Sequence, residues 1–193
     1  MRKFTTTLAA LAIGTTAVFA QDTTPEAETT AEQTETTPEI GATYIKEENG
    51  EWTLRCARAP IGQTDPCDMF QLLTNPEGQA VAEVSVQTLN ASGEFIADLV
   101  IIAPLGLLLP AGVQVKIDGR DAGRIPFIVC NKNSCVAKAG LKEADVQALK
   151  AGNVTQLAFV PADRSLSPFG GDISLTGFTA SFNKLPEPKA AAQ

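Results

Sequence analysis

Four cysteines constrain this 193-residue chain more than any other feature, because they fall into two short-range pairs. Cys56 and Cys67 bracket ten residues, and Cys130 and Cys135 bracket four. In an oxidising compartment such thiols pair, and four of them allow three connectivities. The local pairing, Cys56 with Cys67 and Cys130 with Cys135, is favoured. Each pair flanks a loop, Ala59 to Pro66 in one case and Asn131 to Ser134 in the other. A short loop brings two strand ends within bridging distance more readily than a link across the domain. Each bridge would stabilise the fold by roughly 2–3 kcal/mol through the unfolded state. A redox-active dithiol is one alternative, but Cys130 and Cys135 lack the Cys-x-x-Cys spacing, and no helix opens at Cys130 to depress its pKa. A zinc site with all four thiolates as ligands is another, and the ten-residue gap fits its usual close pairs poorly.

The N-terminus points to that oxidising compartment. Arg2 and Lys3 form a short positive region, Leu8 to Ala20 is apolar and uncharged, and Val18-Phe19-Ala20 has a small-residue cleavage pattern. Residues 1–20 are therefore expected to be a secretory signal peptide cut after Ala20. The apolar run falls short of the ~20 residues a spanning helix needs, so no transmembrane span is expected in the mature chain. Gln21 rather than Cys follows the cut, which argues against a lipid anchor. The expected location is periplasmic, with outer-membrane association or secretion as alternatives. Losing Arg2 and Lys3 takes the net charge from −7 to −9.

Residues 21–42 read as a disordered acidic, Thr-rich linker. Residues 21–40 hold six acids, seven threonines and no base, too little apolar surface to offset the entropy of ordering. A solvated spacer is the plainer reading, and a tether that docks on a basic partner the sharper one. Residues 41–193 carry 16 acids and 13 bases, so most of the acidity belongs to the linker.

The chain has no histidine. That excludes a Ser-His-Asp triad, a Cys-His pair and an imidazole metal ligand. Ser167 and Ser174 thus lack a histidine base. Asp118 to Arg124 lacks the Asp-x-Asp-x-Asp-Gly pattern of a calcium loop and reads as a charged hairpin turn. The acid pairs Glu47/Glu48 and Asp65/Asp68 show no sign of a shared cleft, and Arg55 and Arg58 read as scattered charge rather than a basic patch. Asn90-Ala-Ser92 and Asn153-Val-Thr155 match a glycosylation pattern that is common by chance. No catalytic residue, cofactor or metal is expected. Nucleic acid is not an expected partner either: export argues against it more strongly than charge does.

Between the linker and the end, strand patterns dominate. Tyr44 to Arg58 has Trp52 and Leu54 on one period-2 face. Asp68 to Thr74 follows, then Ala80 to Gln87, with Val84 and Val86 opposite Glu83, Ser85 and Gln87. A turn at Asn90 to Gly93 leads to strands over Phe95 to Ala103 and Val113 to Asp118. Ile125 to Val129, Val154 to Pro161 and Ile173 to Leu185 complete the set. Only Glu143 to Lys150 has helical period, with Val146 and Leu149 on one face, Lys150 in the last turn and Gly152 as a C-cap glycine. The expected fold is mainly β: an immunoglobulin-like β-sandwich over residues 43–186 with one short helix, and a flexible tail over 187–193. Leu99 to Val115 is uncharged throughout. Its two prolines and two glycines favour buried strands joined by a turn over a membrane helix, and a partly exposed edge that binds a partner or lipid remains open.

Several ordered landmarks resemble one known family: Glu51-Trp-Thr-Leu-Arg-Cys56, Cys67 with its strand, Leu107-Leu-Leu-Pro-Ala-Gly112 and Val115-Lys-Ile-Asp-Gly119. Pro126-Phe-Ile-Val-Cys130 with Cys135-Val-Ala137, Leu149-Lys-Ala-Gly152 and Ile173-Ser-Leu-Thr-Gly-Phe178 follow in turn. In this order they resemble the invasion-associated locus B family of exported Gram-negative proteins, over roughly residues 43–186. The resemblance implies a small β-sandwich that is periplasmic or outer-membrane-associated, with no enzymatic activity or cofactor. The namesake's link to host-cell invasion does not carry over, since many members occur in bacteria that invade nothing. The leading expectation is a non-enzymatic envelope module that presents disulfide-anchored loops to an unknown envelope or surface protein, with possible peripheral envelope association. A periplasmic carrier of a small apolar ligand or lipid, motivated by Leu99 to Val115, and a thiol oxidoreductase are the alternatives.

Overall fold

Alternating side chains become antiparallel strands, and two sheets of them face one another. The computed structural model describes residues 39–75, 78–89 and 93–187. The predicted signal peptide, nearly all of the acidic linker, most of the Asn90–Gly93 turn and the last six residues lie outside these. Eleven strands are found among the described residues: β1 (Thr43–Asn49), β2 (Trp52–Ala57), β3 (Cys67–Thr74), β4 (Ala80–Thr88), β5 (Ala97–Ala103), β6 (Val113–Ile117), β7 (Arg120–Ile125), β8 (Phe127–Cys130), β9 (Cys135–Leu141), β10 (Val154–Phe159) and β11 (Phe169–Ser174). Two helices accompany them, α1 (Glu143–Ala151) and α2 (Phe178–Phe182). The large sheet has the order β1-β2-β3-β4-β5-β9-β8, and the small one β11-β10-β6-β7. The architecture is the expected β-sandwich.

The inward faces supply the core. In β4 the alternation puts Ala82, Val84 and Val86 inside; β5 adds Leu99 and Ile101, and β10 adds Leu157 and Phe159. Trp52 is almost completely buried and meets Phe178 edge to face, with ring centroids 5.3 Å apart. One polar side chain joins the sheets. Gln71 of β3 accepts a hydrogen bond from the Ser174 backbone N–H (2.8 Å) and donates to the Ser174 carbonyl (3.0 Å). Its amide thus acts as one rung of backbone, and Trp52 Nε1 donates to the same carbonyl at 2.8 Å. The Gln71 amide and the Trp52 N–H are thus both paired, so neither is left as a buried unsatisfied group.

Several local expectations are corrected. Tyr44 to Arg58 is a hairpin of two strands, turned at Gly50 with φ +58°. The turn packs so closely on the far end of the chain that a Cβ at Gly50 would lie 2.6 Å from the Thr176 carbonyl oxygen. β5 and β6, expected as neighbours across a turn, lie in opposite sheets, and the segment between them is the crossover. The charged stretch from Asp118 is a two-residue turn followed by strand β7: Asp118 (φ +49°) and Gly119 (φ +78°) make the turn that Asp-Gly favours. Ile173 to Leu185 is not one strand. β11 ends at Ser174, and Gly177, at φ +88°, breaks the chain into α2. A Cβ at Gly177 would fall 1.8 Å from the Asn49 carbonyl oxygen, so only glycine fits. Gly152 caps α1 in an extended conformation, not a left-handed one. Its requirement is space, because a Cβ there would meet Leu175 and Ile117 within 3 Å.

Candidate functional site

The two cysteine pairs stand directly opposite one another on neighbouring strands, Cys56 against Cys67 and Cys130 against Cys135. Both are bridged, and no free cysteine remains. The strand register separates them widely. Cys67 lies at the end of the large sheet where Thr88 pairs Ala97 and Ala97 pairs Leu141. Cys135 lies at the other end, opposite Ala103. The two closed loops therefore cannot form one continuous surface.

The first loop is tied down by its own side chains. Asp65 accepts hydrogen bonds from the Ala59 backbone N–H and the Tyr44 hydroxyl, both at 2.8 Å. Arg58 approaches Asp65 at 3.8 Å and stacks over the Tyr44 ring at 4.2 Å. The Ala59 N–H, then the Tyr44 hydroxyl, then the Arg58 charge hold the Asp65 carboxyl below its ordinary pKa. Arg55 is occupied as well. It bonds Asp68 through both nitrogens at 3.2 and 2.7 Å, reaches Glu83 at 3.0 Å and lies over Phe70. Neither arginine belongs to an open basic patch, and Asp65 and Asp68 serve separate partners. In the turn before β7, Asp118 accepts from the backbone N–H groups of Val154 and Asn153, which lower its pKa.

The second loop is simpler. Asn131 Oδ1 accepts from the N–H groups of Asn133 (2.7 Å) and Ser134 (3.0 Å), so the loop folds on itself. The strand that leads into it is four residues long, and Ile128 and Val129 are 59% and 55% exposed. The crossover after β5 starts at the same sheet end and leaves Leu105, Leu108 and Leu109 partly in solvent. Leu109 and Pro110 share a shallow pocket with Pro126 and Phe127. The Leu99–Val115 segment is thus divided: Leu99, Ile101, Leu107, Val113 and Val115 are core, and the three leucines are surface.

Between the sheets lies a cavity of about 330 Å³, lined by aliphatic side chains from both. Its mouth passes between β7 and α1, where Ala122, Arg124, Asp145 and Ala148 are exposed. Thr155 is among the lining residues, and its Oγ1, itself inaccessible, is the one buried side-chain polar atom without a hydrogen-bond partner among the described residues. In the sequence Thr155 stood out only as part of Asn153-Val-Thr155. The signal for its inward role was its place on the face of Leu157 and Phe159. No group of three or more metal-ligating side chains forms among the described residues, and no described helix is long and apolar enough to cross a membrane.

Fold and surface define a disulfide-braced β-sandwich with exposed apolar side chains on edge strand β8 and an apolar cavity between its sheets. The chain belongs to the Invasion associated locus B (IalB) protein family, whose profile matches residues 52–186. The invasion protein B homologues of Brucella abortus strain 2308 and of B. abortus biovar 1 strain 9-941 are each 31% identical to it over 149 residues. That stretch is 75% of this chain and 81% of each relative. The crystal structure of invasion associated protein B from Bartonella henselae superposes with a TM-score of 0.58 at 25% identity, covering 72% of this chain and 92% of that one. The landmarks behind the resemblance meet in space: Trp52 of the first motif packs on Phe178 of the last, and Gly177 sits against Asn49.

Proposed function

We propose that this protein is a non-enzymatic cell-envelope interaction module, exported by a signal peptide cut after Ala20 and held by the acidic segment 21–42 at a distance from its surroundings. The sandwich of residues 43–186 would be its one folded domain, with 187–193 as a tail. The observation that carries the reading is the exposed apolar pair Ile128 and Val129 on edge strand β8, whose neighbour Phe127 shares a pocket with the exposed Leu109. Contiguous exposed apolar side chains mark contact sites. The two bridges suit an oxidising compartment, and membership of the family supports export. The partner class is a protein of the envelope or surface, met through this edge. The chemistry of the four sulfurs is structural in this reading, so native protein treated with an alkylating agent should show four blocked sulfurs.

A photo-crosslinking residue at position 128, introduced in the cells that make the protein, tests the site. It should trap a discrete envelope protein, while the same residue at Leu72, exposed on the outer face of β3, should trap none. Equal labelling from both positions would remove the case for the β8 edge. Sequencing the mature N-terminus should give Gln21 first.

A further inference from the structure

The exposed side chains of β8 adjoin a pocket whose surroundings are charged unevenly. Between Leu99 and Ile117, and again between Ala122 and Leu141, the chain has no acid. The same two stretches hold four of the 13 bases of residues 41–193: Lys116, Arg124, Lys132 and Lys138. They also supply all seven residues that line the shallow pocket, among which Arg124 is the one with a charge. Arg124 is exposed, and so is Lys132, two residues beyond the end of β8. Neither has an ion-pair partner among the described residues, whereas Lys138 is paired with Asp98 at 2.7 Å. The acids of neighbouring elements are engaged elsewhere. Asp145, at the mouth of the cavity that Arg124 also lines, accepts from the Lys142 backbone N–H at 2.9 Å. Asp163 lies on the loop that bonds the crossover through Ala162 and Gly106, and it accepts from the Ser165 N–H and hydroxyl. The acidic segment joins the domain at the opposite end of the large sheet, where Thr43 pairs Ala57 next to the Cys56–Cys67 bridge.

We propose that the β8 edge takes an acidic segment of a partner protein: an apolar side chain of that segment enters the pocket at Leu109 and Phe127, and a carboxylate beside it pairs with Arg124. A guanidinium suits that role because it holds a carboxylate through two parallel hydrogen bonds. Lys132 adds to the positive field, which steers an acidic partner and rejects a basic one. An anionic membrane fits this surface less well, because polybasic lipid sites gather about four to eight Lys or Arg and only two unpaired cations stand here. The inference rests on the envelope-module reading and adds to it the chemistry of the partner.

Methyl-resolved NMR of the mature chain, titrated with the capped tetrapeptides Asp-Leu-Phe-Glu, Asn-Leu-Phe-Gln and Lys-Leu-Phe-Lys, tests the charge preference. The acidic peptide should shift the Leu109 and Ile128 methyl signals and bind at least about threefold more tightly than the neutral one, with the basic one weakest. Raising the salt to about 0.5 M should remove most of that difference. Arg124→Gln, at an exposed position without an ion pair, should fold, lower the acidic peptide to the level of the neutral one and leave the neutral one unaltered. Arg124→Lys should keep part of the preference. Arg120→Gln, exposed at the other end of β7, should change nothing. The proposal is overturned if the three peptides bind alike, if none shifts these signals, or if Arg124→Gln keeps the full preference. Phosphatidylglycerol vesicles that broaden the same signals, or a crosslink from position 128 to residues 21–38 of this chain, would also overturn it. In cells, Arg124→Glu should lower trapping from position 128 at least about threefold. Undiminished trapping would remove the acidic partner and leave the β8 edge standing. No trapping from position 128 in the parent protein would remove the edge itself, and the peptide titration would still decide the charge preference.

Discussion

The two edges of the large sheet are finished differently. At one edge, the C-terminal segment packs against the turn end of the β1–β2 hairpin, while β1 itself keeps four of its seven residues exposed, Ile45 among them. Lys184 pairs with Glu47, Asn49 donates to the Ser181 hydroxyl at 3.2 Å, and Phe178 closes over Trp52. The loop between β2 and β3 is bridged and also held by Asp65. At the other edge, β8 is four residues long, with a register shift between Phe127 and Val129. It has a bridge and little else, and its side chains face solvent. A four-residue edge strand with a register shift is a poor template for another strand, so what β8 offers a partner is its exposed Ile128 and Val129 side chains. The same covalent device therefore does two jobs: at Cys56–Cys67 it reinforces an end that other contacts already hold, and at Cys130–Cys135 it keeps an otherwise loose strand in register.

The largest test of this contrast is Trp52→Ala, which should remove about 3–5 kcal/mol of stability because it removes the ring that Phe178 packs on and releases the Ser174 carbonyl. Guanidinium unfolding would measure it, and a loss under about 1 kcal/mol would mean that α2 does not hold this edge. Removing the bridges comes next. Chain entropy gives about 2.8 kcal/mol for Cys56→Ala with Cys67→Ala and about 2.2 for Cys130→Ala with Cys135→Ala. A cost at Cys130–Cys135 equal to or above that at Cys56–Cys67 would show that the tied loop retains its order without its bridge, which sharpens the comparison. A clear reversal of denaturation midpoints is the sign to look for.

The third test is pH. Asp65 has its folded pKa lowered by the Ala59 N–H, the Tyr44 hydroxyl and Arg58. A lowered pKa means that its stabilisation is fully present above the unfolded value, near 3.8, and is lost as pH falls through the lower folded value. Asp65→Asn should flatten the decline of melting temperature below about pH 4 and change little at pH 7 beyond the lost charge. An unchanged acid profile would show that the loop is not held this way. The smallest stability effect belongs to the bare edge: Val129→Lys should alter stability by no more than about 0.5 kcal/mol yet sharply reduce crosslinking from position 128. A variant that unfolds would mean Val129 is core after all.

The parts of this molecule that could be read from residues are those where one segment carries its own pattern. β4 alternates strictly, and Val146 and Leu149 of α1 fall on one face and are buried. β9 escaped notice because three of its four inward positions, Cys135, Ala137 and Ala139, are too small to signal burial and only Leu141 is large, and because Gly140 lies against a ring from elsewhere: a Cβ there would meet Phe95 at 2.6 Å. α2 was hidden by its length of five residues and by an opening that depends on Gly177 touching Asn49. β7 was masked by charge, since this edge strand of the small sheet has five of its six residues exposed, three of them charged. The cavity was illegible for a different reason. Its walls come from many strands, and its existence depends on how the sheets are set against each other rather than on any single segment.

One directional contact in that setting is the Gln71 amide. Because it takes both the N–H and the C=O of Ser174, it acts mechanically as a keyed pin. Sliding β11 by one residue along β3 would present the backbone of a residue whose side chain points the other way, with donor and acceptor no longer aligned to the amide. Shear between the sheets at this point would therefore break both hydrogen bonds at once. The Trp52 N–H on the same Ser174 carbonyl adds a third bond to the same point.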